Sequence, residues 1–135
     1  MDYNIEPGIG TELDADSYGD GLLGHNRAYL EWLDGIFERY PDVIIENCSS
    51  GGLRMDYAML SRYSIQSTSD QEDYVRYATI TANAPSAVTP EQAAVWSYPL
   101  TDGDCEEVVF NMVNALLLRI HQSGHLVNLS PERFG

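Results

Sequence analysis

Three consecutive apolar residues, Val43-Ile44-Ile45, break without transition into Glu46-Asn47-Cys48-Ser49-Ser50-Gly51-Gly52. A short β-branched run of this kind reads as a buried strand of a parallel sheet. Its abrupt polar, glycine-rich end reads as a strand that releases the chain into a loop. The pattern recurs. Residues 63–67 form a second strand candidate running into Thr68-Ser69-Asp70, and Ser86-Ala87-Val88 a third, ending in Thr89-Pro90-Glu91. Helical pieces lie between them. Leu30, Leu33, Phe37 and Tyr40 share one face of a helix predicted over 25–40, which Pro41 stops. Further helices are predicted over 54–62 and 71–82, the latter with Asp70 or Ser69 placed to cap its start. In the apolar stretch 108–120, Val109, Met112, Val113 and Leu116 have a helical period, while Leu116 to Ile120 fits a helix end or a final strand equally. Residues 1–24, rich in glycine and aspartate, read as a long loop. Strand–helix alternation with polar strand ends predicts a parallel α/β architecture.

Charge narrows the functions open to such a chain. Its formal net charge is -14, and all seven bases are arginines. Nucleic-acid binding through a basic stripe is not expected, nor is adhesion to an anionic membrane, because both need clustered positive charge. No run approaches a membrane span, and Met1-Asp2 does not begin a signal region, so a cytoplasmic location is expected. Cys48 and Cys105 are too few for a disulfide framework and are expected as free thiols. Asn47-Cys48-Ser49 and Asn128-Leu129-Ser130 match the glycosylation pattern by chance on this reading.

In parallel α/β folds the carboxyl ends of the strands carry the chemistry. Asp2 and Asn4, then Glu46, Cys48 and Ser50, then Asp70 and Asp73, and finally Glu91 fall at such ends. The set offers carboxylates, hydroxyls and a thiol. Gly51-Gly52 lacks the spacing of a dinucleotide loop, and no cofactor is implied. His121 and His125 stand four apart and would share a face if helical. Gly124 between them and the lack of a third ligand argue against a metal, and none is expected. Paired carboxylates at strand ends suit glycoside hydrolysis, one as nucleophile and one as general acid and base.

Three segments narrow this further. Met1-Asp2-Tyr3-Asn4 resembles the end of the nucleophile strand, Lys-x-Asp-x-Asn, in the α-galactosidases of glycoside hydrolase family 36. Residues 46–56 resemble that family's Cys-x-x-Gly-x-x-Arg signature, with Cys48, Gly51 and Arg54 in the fixed positions. Thr68-Ser69-Asp70-Gln71-Glu72-Asp73 is similar to its Ser-Asp-x-x-Asp motif. All three occur in the family's order. The resemblance implies a (β/α)8 TIM-barrel, of which this chain carries roughly the second half, since a whole barrel needs about 200–250 residues. The family's lysine beside the nucleophile would fall before Met1, and position 67 is serine where many relatives carry an aromatic residue.

By the same resemblance the activity is retaining hydrolysis of terminal α-D-galactosyl residues from oligosaccharides of the raffinose and melibiose kind. Asp2 is then the nucleophile and Asp70 the acid/base. Asn4, Cys48, Ser50 and Gly51 contact the sugar, and Arg54 and Asp73 support them. Burial and the charge of Asp2 are expected to raise the pKa of Asp70. The partner is an α-galactoside substrate, and the full-length parent is a possible homo-oligomer.

Plainer roles stand beside these. Asp70 fits a helix N-cap and Asp73 a first-turn dipole partner. Cys48 fits a small buried residue. Trp32 is expected to pack, and Trp96 to pack in the core or to form a sugar-stacking platform. Two other functions share the same features: a non-catalytic, carbohydrate-binding remnant, and a different acidic hydrolase using Glu46.

Overall fold

The computed structural model describes residues 15–49 and 52–134. Four strands, β1 (Glu46–Asn47), β2 (Ile65–Ser67), β3 (Ala93–Ser97) and β4 (Arg119–Gln122), form one sheet in the order β1-β2-β3-β4. Every neighbouring pair is parallel. Helices α1 (Asp20–Arg39), α2 (Tyr57–Leu60), α3 (Tyr74–Asn83), α4 (Cys105–Ala115) and α5 (Pro131–Phe134) complete it. The fold is mixed α/β, as expected.

Strand order equals chain order, so the sheet is singly wound. Right-handed crossovers then place the connecting helices on one face and leave the other clear, as in a sector of a β/α barrel rather than a doubly wound sheet. The packing agrees. Val95 of β3 is fully buried against Tyr77 of α3 and Ala115 of α4. On the opposite face, Trp96 and His121 are ladder partners, and their rings meet edge to face at 5.0 Å. His121 Nδ1 also lies 3.8 Å from Glu46 Oε1, although His121 belongs to β4 and Glu46 to β1. A flat ladder would hold those strands about 14 Å apart. A side-chain contact across that span fits a sheet that curves toward the helix-free face.

Several elements depart from the sequence reading. Residues 20–24, read as the end of a loop, are the start of α1. Gly19, at φ 88°, turns the chain into it, and Asp20 lies favourably in its first turn. Leu33 of α1 is buried with Met59 and Tyr63, and Leu30 and Phe37 pack beside them. Trp32, expected to pack, is exposed and stands beside the Tyr29 ring at 5.8 Å. The apolar run Val43-Ile44-Ile45 precedes the β1 ladder. Val43 and Ile44 are exposed, and only Ile45 joins the core under α1.

The helix expected over 54–62 is a 3-10 turn, Gly52–Arg54, followed by the four-residue α2. The third strand was misplaced. Residues 84–86 form a 3-10 turn, and the strand is Ala93–Ser97. Pro85 and Pro90 flank the misread segment and cannot donate to a central ladder. Val88 is buried there as a core residue of a turn. Glu91 therefore precedes β3, at its amino end rather than with the functional loops. The ambiguous stretch Leu116 to Ile120 resolves into a short turn and the start of β4, which runs on to Gln122. Among the described residues, no helix is long and apolar enough to cross a membrane.

Candidate active site

Four of the eight predicted site residues, Asp2, Asn4, Ser50 and Gly51, lie outside the described residues. The other four are placed as follows. Cys48 is one residue beyond β1, and ladder register sets it level with Ser67 of β2. Its side chain is half-buried, and both cysteines are free thiols. Asn47 holds the start of this loop. Its buried amide donates to Gln66 Oε1 at 2.6 Å and to the Arg54 carbonyl at 3.0 Å, tying the two ends of the segment 48–54 together. Arg54 thus supports the loop through its backbone.

Asp70 follows β2, at the mouth of the sheet. It is not a helix cap. That role belongs to Asp73, whose Oδ1 accepts from the N–H groups of Val75 and Arg76 at 2.9 and 3.1 Å. Ser69 and Gln71 fold the intervening turn, accepting from the Gln71 and Asp73 N–H groups respectively. Asp73 serves as the cap of α3 rather than as a first-turn dipole partner. Asp70 is left with its carboxylate exposed. The burial invoked for it is not supplied by the described residues.

Asp70 lines a cavity of about 170 Å³ with Gln71, Glu72, Trp96, Tyr98 and Ser123. These residues follow or end β2, β3 and β4, so the cavity opens at the carboxyl ends of three adjacent strands, where β/α barrels place their chemistry. A larger space of about 750 Å³ lies over the β3–α4 loop, lined by residues such as Leu100, Asp102 and Asp104. None of the described motif residues borders it. Chemistry favours the smaller one.

Two networks fix this mouth, and neither was anticipated. Beneath Asp70, the Tyr77 hydroxyl accepts the Trp96 N–H at 3.1 Å and meets Thr68 Oγ1 at 2.9 Å, while Thr68 Oγ1 donates to the Ala94 carbonyl at 2.8 Å. Burial pushes the Tyr77 phenol above its usual range. This joins α3 to the ends of β2 and β3. The second network sets the β3–α4 loop. Asn111 Oδ1 accepts the Tyr98 N–H at 3.0 Å. Buried Glu107 accepts from Leu100 N–H at 3.2 Å, from Asn111 Nδ2 at 2.6 Å and from Arg133 at 2.8 Å. Arg133 in turn donates to the carbonyls of Leu100 and Thr101.

Gly103 leaves room for the Glu107–Arg133 pair, because a Cβ there would collide with the Glu107 carboxylate and the Arg133 guanidinium and one of them would have to shift. One sequence signal marked this network. Glu107, Asn111 and Asn114 interrupt the apolar stretch at helical spacing, and all three are buried. His121 lies in β4, and Gly124, at φ 80°, separates it from His125, so the pair shares no helical face. Among the described residues, no three His, Cys, Asp or Glu side chains gather as a metal site.

The melibiase family model matches residues 22–97, more than half of the chain. The chain belongs to the melibiase family. The matched span runs from α1 to the end of β3 and contains Cys48, Arg54, Asp70 and Trp96. Alpha-galactosidase Mel36A of Lactobacillus acidophilus is 37% identical to it over 46 residues, 34% of this chain and 6% of that protein. The chain therefore matches only a small part of this relative's length. Melibiase membership agrees with the family expected from the three motifs.

Proposed function

We propose that this chain is the carboxyl-terminal half of the catalytic barrel of a retaining α-galactosidase. The observation that carries the reading is Asp70. It lies in the span matched to the melibiase family, on the wall of a cavity at the strand mouths, and Asp73 has taken the capping duty that would otherwise explain it. The singly wound parallel sheet supports the barrel. The Mel36A relative supports the galactoside substrate.

In the completed barrel, Asp2 attacks the anomeric carbon while Asp70 gives its proton to the glycosidic oxygen, and the C–O bond to the leaving group breaks. A galactosyl ester on Asp2 results. Asp70, now a carboxylate, takes a proton from water, whose oxygen displaces Asp2 from the opposite side. Galactose leaves with its configuration retained, and Asp70 is protonated again. Two inversions need carboxyl groups about 5–5.5 Å apart. Asn4, Cys48, Ser50 and Gly51 hold the galactose hydroxyls, while Arg54 and Asp73 hold the loops that present Cys48 and Asp70. The exposed carboxylate of Asp70 acquires its burial from the rest of the barrel and from bound sugar.

Release of 4-nitrophenol from its α-galactoside tests the assignment. In the complete enzyme, Asp2→Asn and Asp70→Asn are each expected to lower the rate by at least about a hundredfold. A smaller loss in both variants contradicts it. The 135-residue chain alone is expected to show no turnover.

A further inference from the structure

Across the strand mouths the order is Cys48 after β1, Asp70 after β2, Trp96 and Tyr98 at β3, and Ser123 after β4. Resting on the α-galactosidase reading, the galactose lies toward Cys48 and toward the nucleophile that precedes β1 in the chain. The cavity beside Asp70 lies on the other side, toward β3 and β4. An acid that protonates the glycosidic oxygen stands between the two halves of its substrate. The space beyond Asp70 then belongs to the leaving group.

We propose that Trp96 and Tyr98 form the platform for a sugar leaving group. Their presentation is built from below. The Trp96 N–H is held by Tyr77 of α3 and the Tyr98 N–H by Asn111 of α4, so two helices fix the backbone of both aromatic residues. The His121 and Trp96 rings meet edge to face, with centres 5.0 Å apart and planes at 74°, so the imidazole packs beside the indole on the helix-free face. Trp96 is only partly buried by its contacts with the Tyr77–Val95 cluster, and it borders the cavity. Its neighbours there, Gln71 and Glu72, offer amide and carboxylate partners for hydroxyl groups. An aromatic wall facing a few polar groups matches a pyranose, which has apolar C–H faces and a polar rim. Part of the Trp96 side chain packs against the core, and the proposed stacking uses the part that borders the cavity.

Two substrates with the same galactosyl group separate this role from general damage. An α-1,6-linked galactosyl-glucose carries a sugar leaving group, whereas α-galactosyl fluoride releases an ion too small to stack. In the complete enzyme, Trp96→Ala is expected to lower kcat/KM for the disaccharide roughly tenfold, mainly through KM, and to leave that for the fluoride within about threefold. Trp96→Phe restores most of the loss. Because Trp96 also touches the core, Tyr98→Ala serves as the second variant and is expected to show the same split. Equal losses on both substrates, or no loss on either, with an active wild type, overturn the platform alone. A wild-type enzyme inactive on both overturns the α-galactosidase reading and the platform with it.

Discussion

Tyr77 is buried with both directions of its hydroxyl assigned. Because Thr68 Oγ1 gives its own proton to the Ala94 carbonyl, the phenol donates to Thr68 and accepts from Trp96. Tyr77→Phe removes the acceptor and leaves the Trp96 N–H without a partner, an expected cost of about 1–3 kcal/mol. Urea unfolding reads this as a lower midpoint at unchanged slope. A loss below about 0.5 kcal/mol would contradict the assigned network. Residues of this class were silent in the sequence, because nothing in a lone tyrosine names the two strands it joins. Asp70 and Cys48 were legible for the opposite reason. Each sits in a short motif of fixed spacing, and the span matched to the melibiase family covers both positions.

Among the elements, α3 shows what period alone cannot decide. Residues 71–82 carry a helical pattern, yet the helix starts at Tyr74, because the Asp73 carboxylate satisfies two N–H groups of the first turn. Capping competes over a few residues, and Ser69, Asp70 and Asp73 are all suitable caps by type. The consequence reaches the site, since Asp70 is released from the backbone. Asp73→Ala is expected to cost about 1 kcal/mol, and Asp70→Ala to leave stability within about 0.5 kcal/mol, both read by thermal unfolding. The reverse order would make Asp70 the cap and remove the main support for its catalytic role. The strand β3 was misread for a related reason. Ala93 and Ala94 carry little strand propensity, and their fitness for the ladder comes from complete burial, which only the assembled sheet reveals. The period of helix α4 is legible in its first part, but not that its buried Glu107 and Asn111 clamp the β3–α4 loop while Asn114 donates to the Tyr74 carbonyl of α3.

At the scale of the molecule, parallel α/β architecture is visible in the alternation of elements, whereas the singly wound order follows only from the resemblance to a β/α-barrel family. Which strands pair is decided by contacts distant in sequence, such as Ala94 with Arg119. The order matters for function because it gathers the ends of β2, β3 and β4 around one cavity beside Asp70. It also leaves Val113, Leu116, Leu117 and Ile120 exposed near β4, an apolar margin of the kind a further β/α unit covers.

The central claim is that Asp70 is the acid/base of a galactosyl-transferring pair with Asp2. Azide rescue of Asp70→Ala in the complete enzyme tests it most directly. With an activated α-galactoside, azide replaces water against the galactosyl–Asp2 ester and needs no base. The expected result is a restored rate with α-galactosyl azide as the product, its configuration retained. No rescue, or β-galactosyl azide from this variant, would contradict the assignment, the latter by making Asp70 the nucleophile.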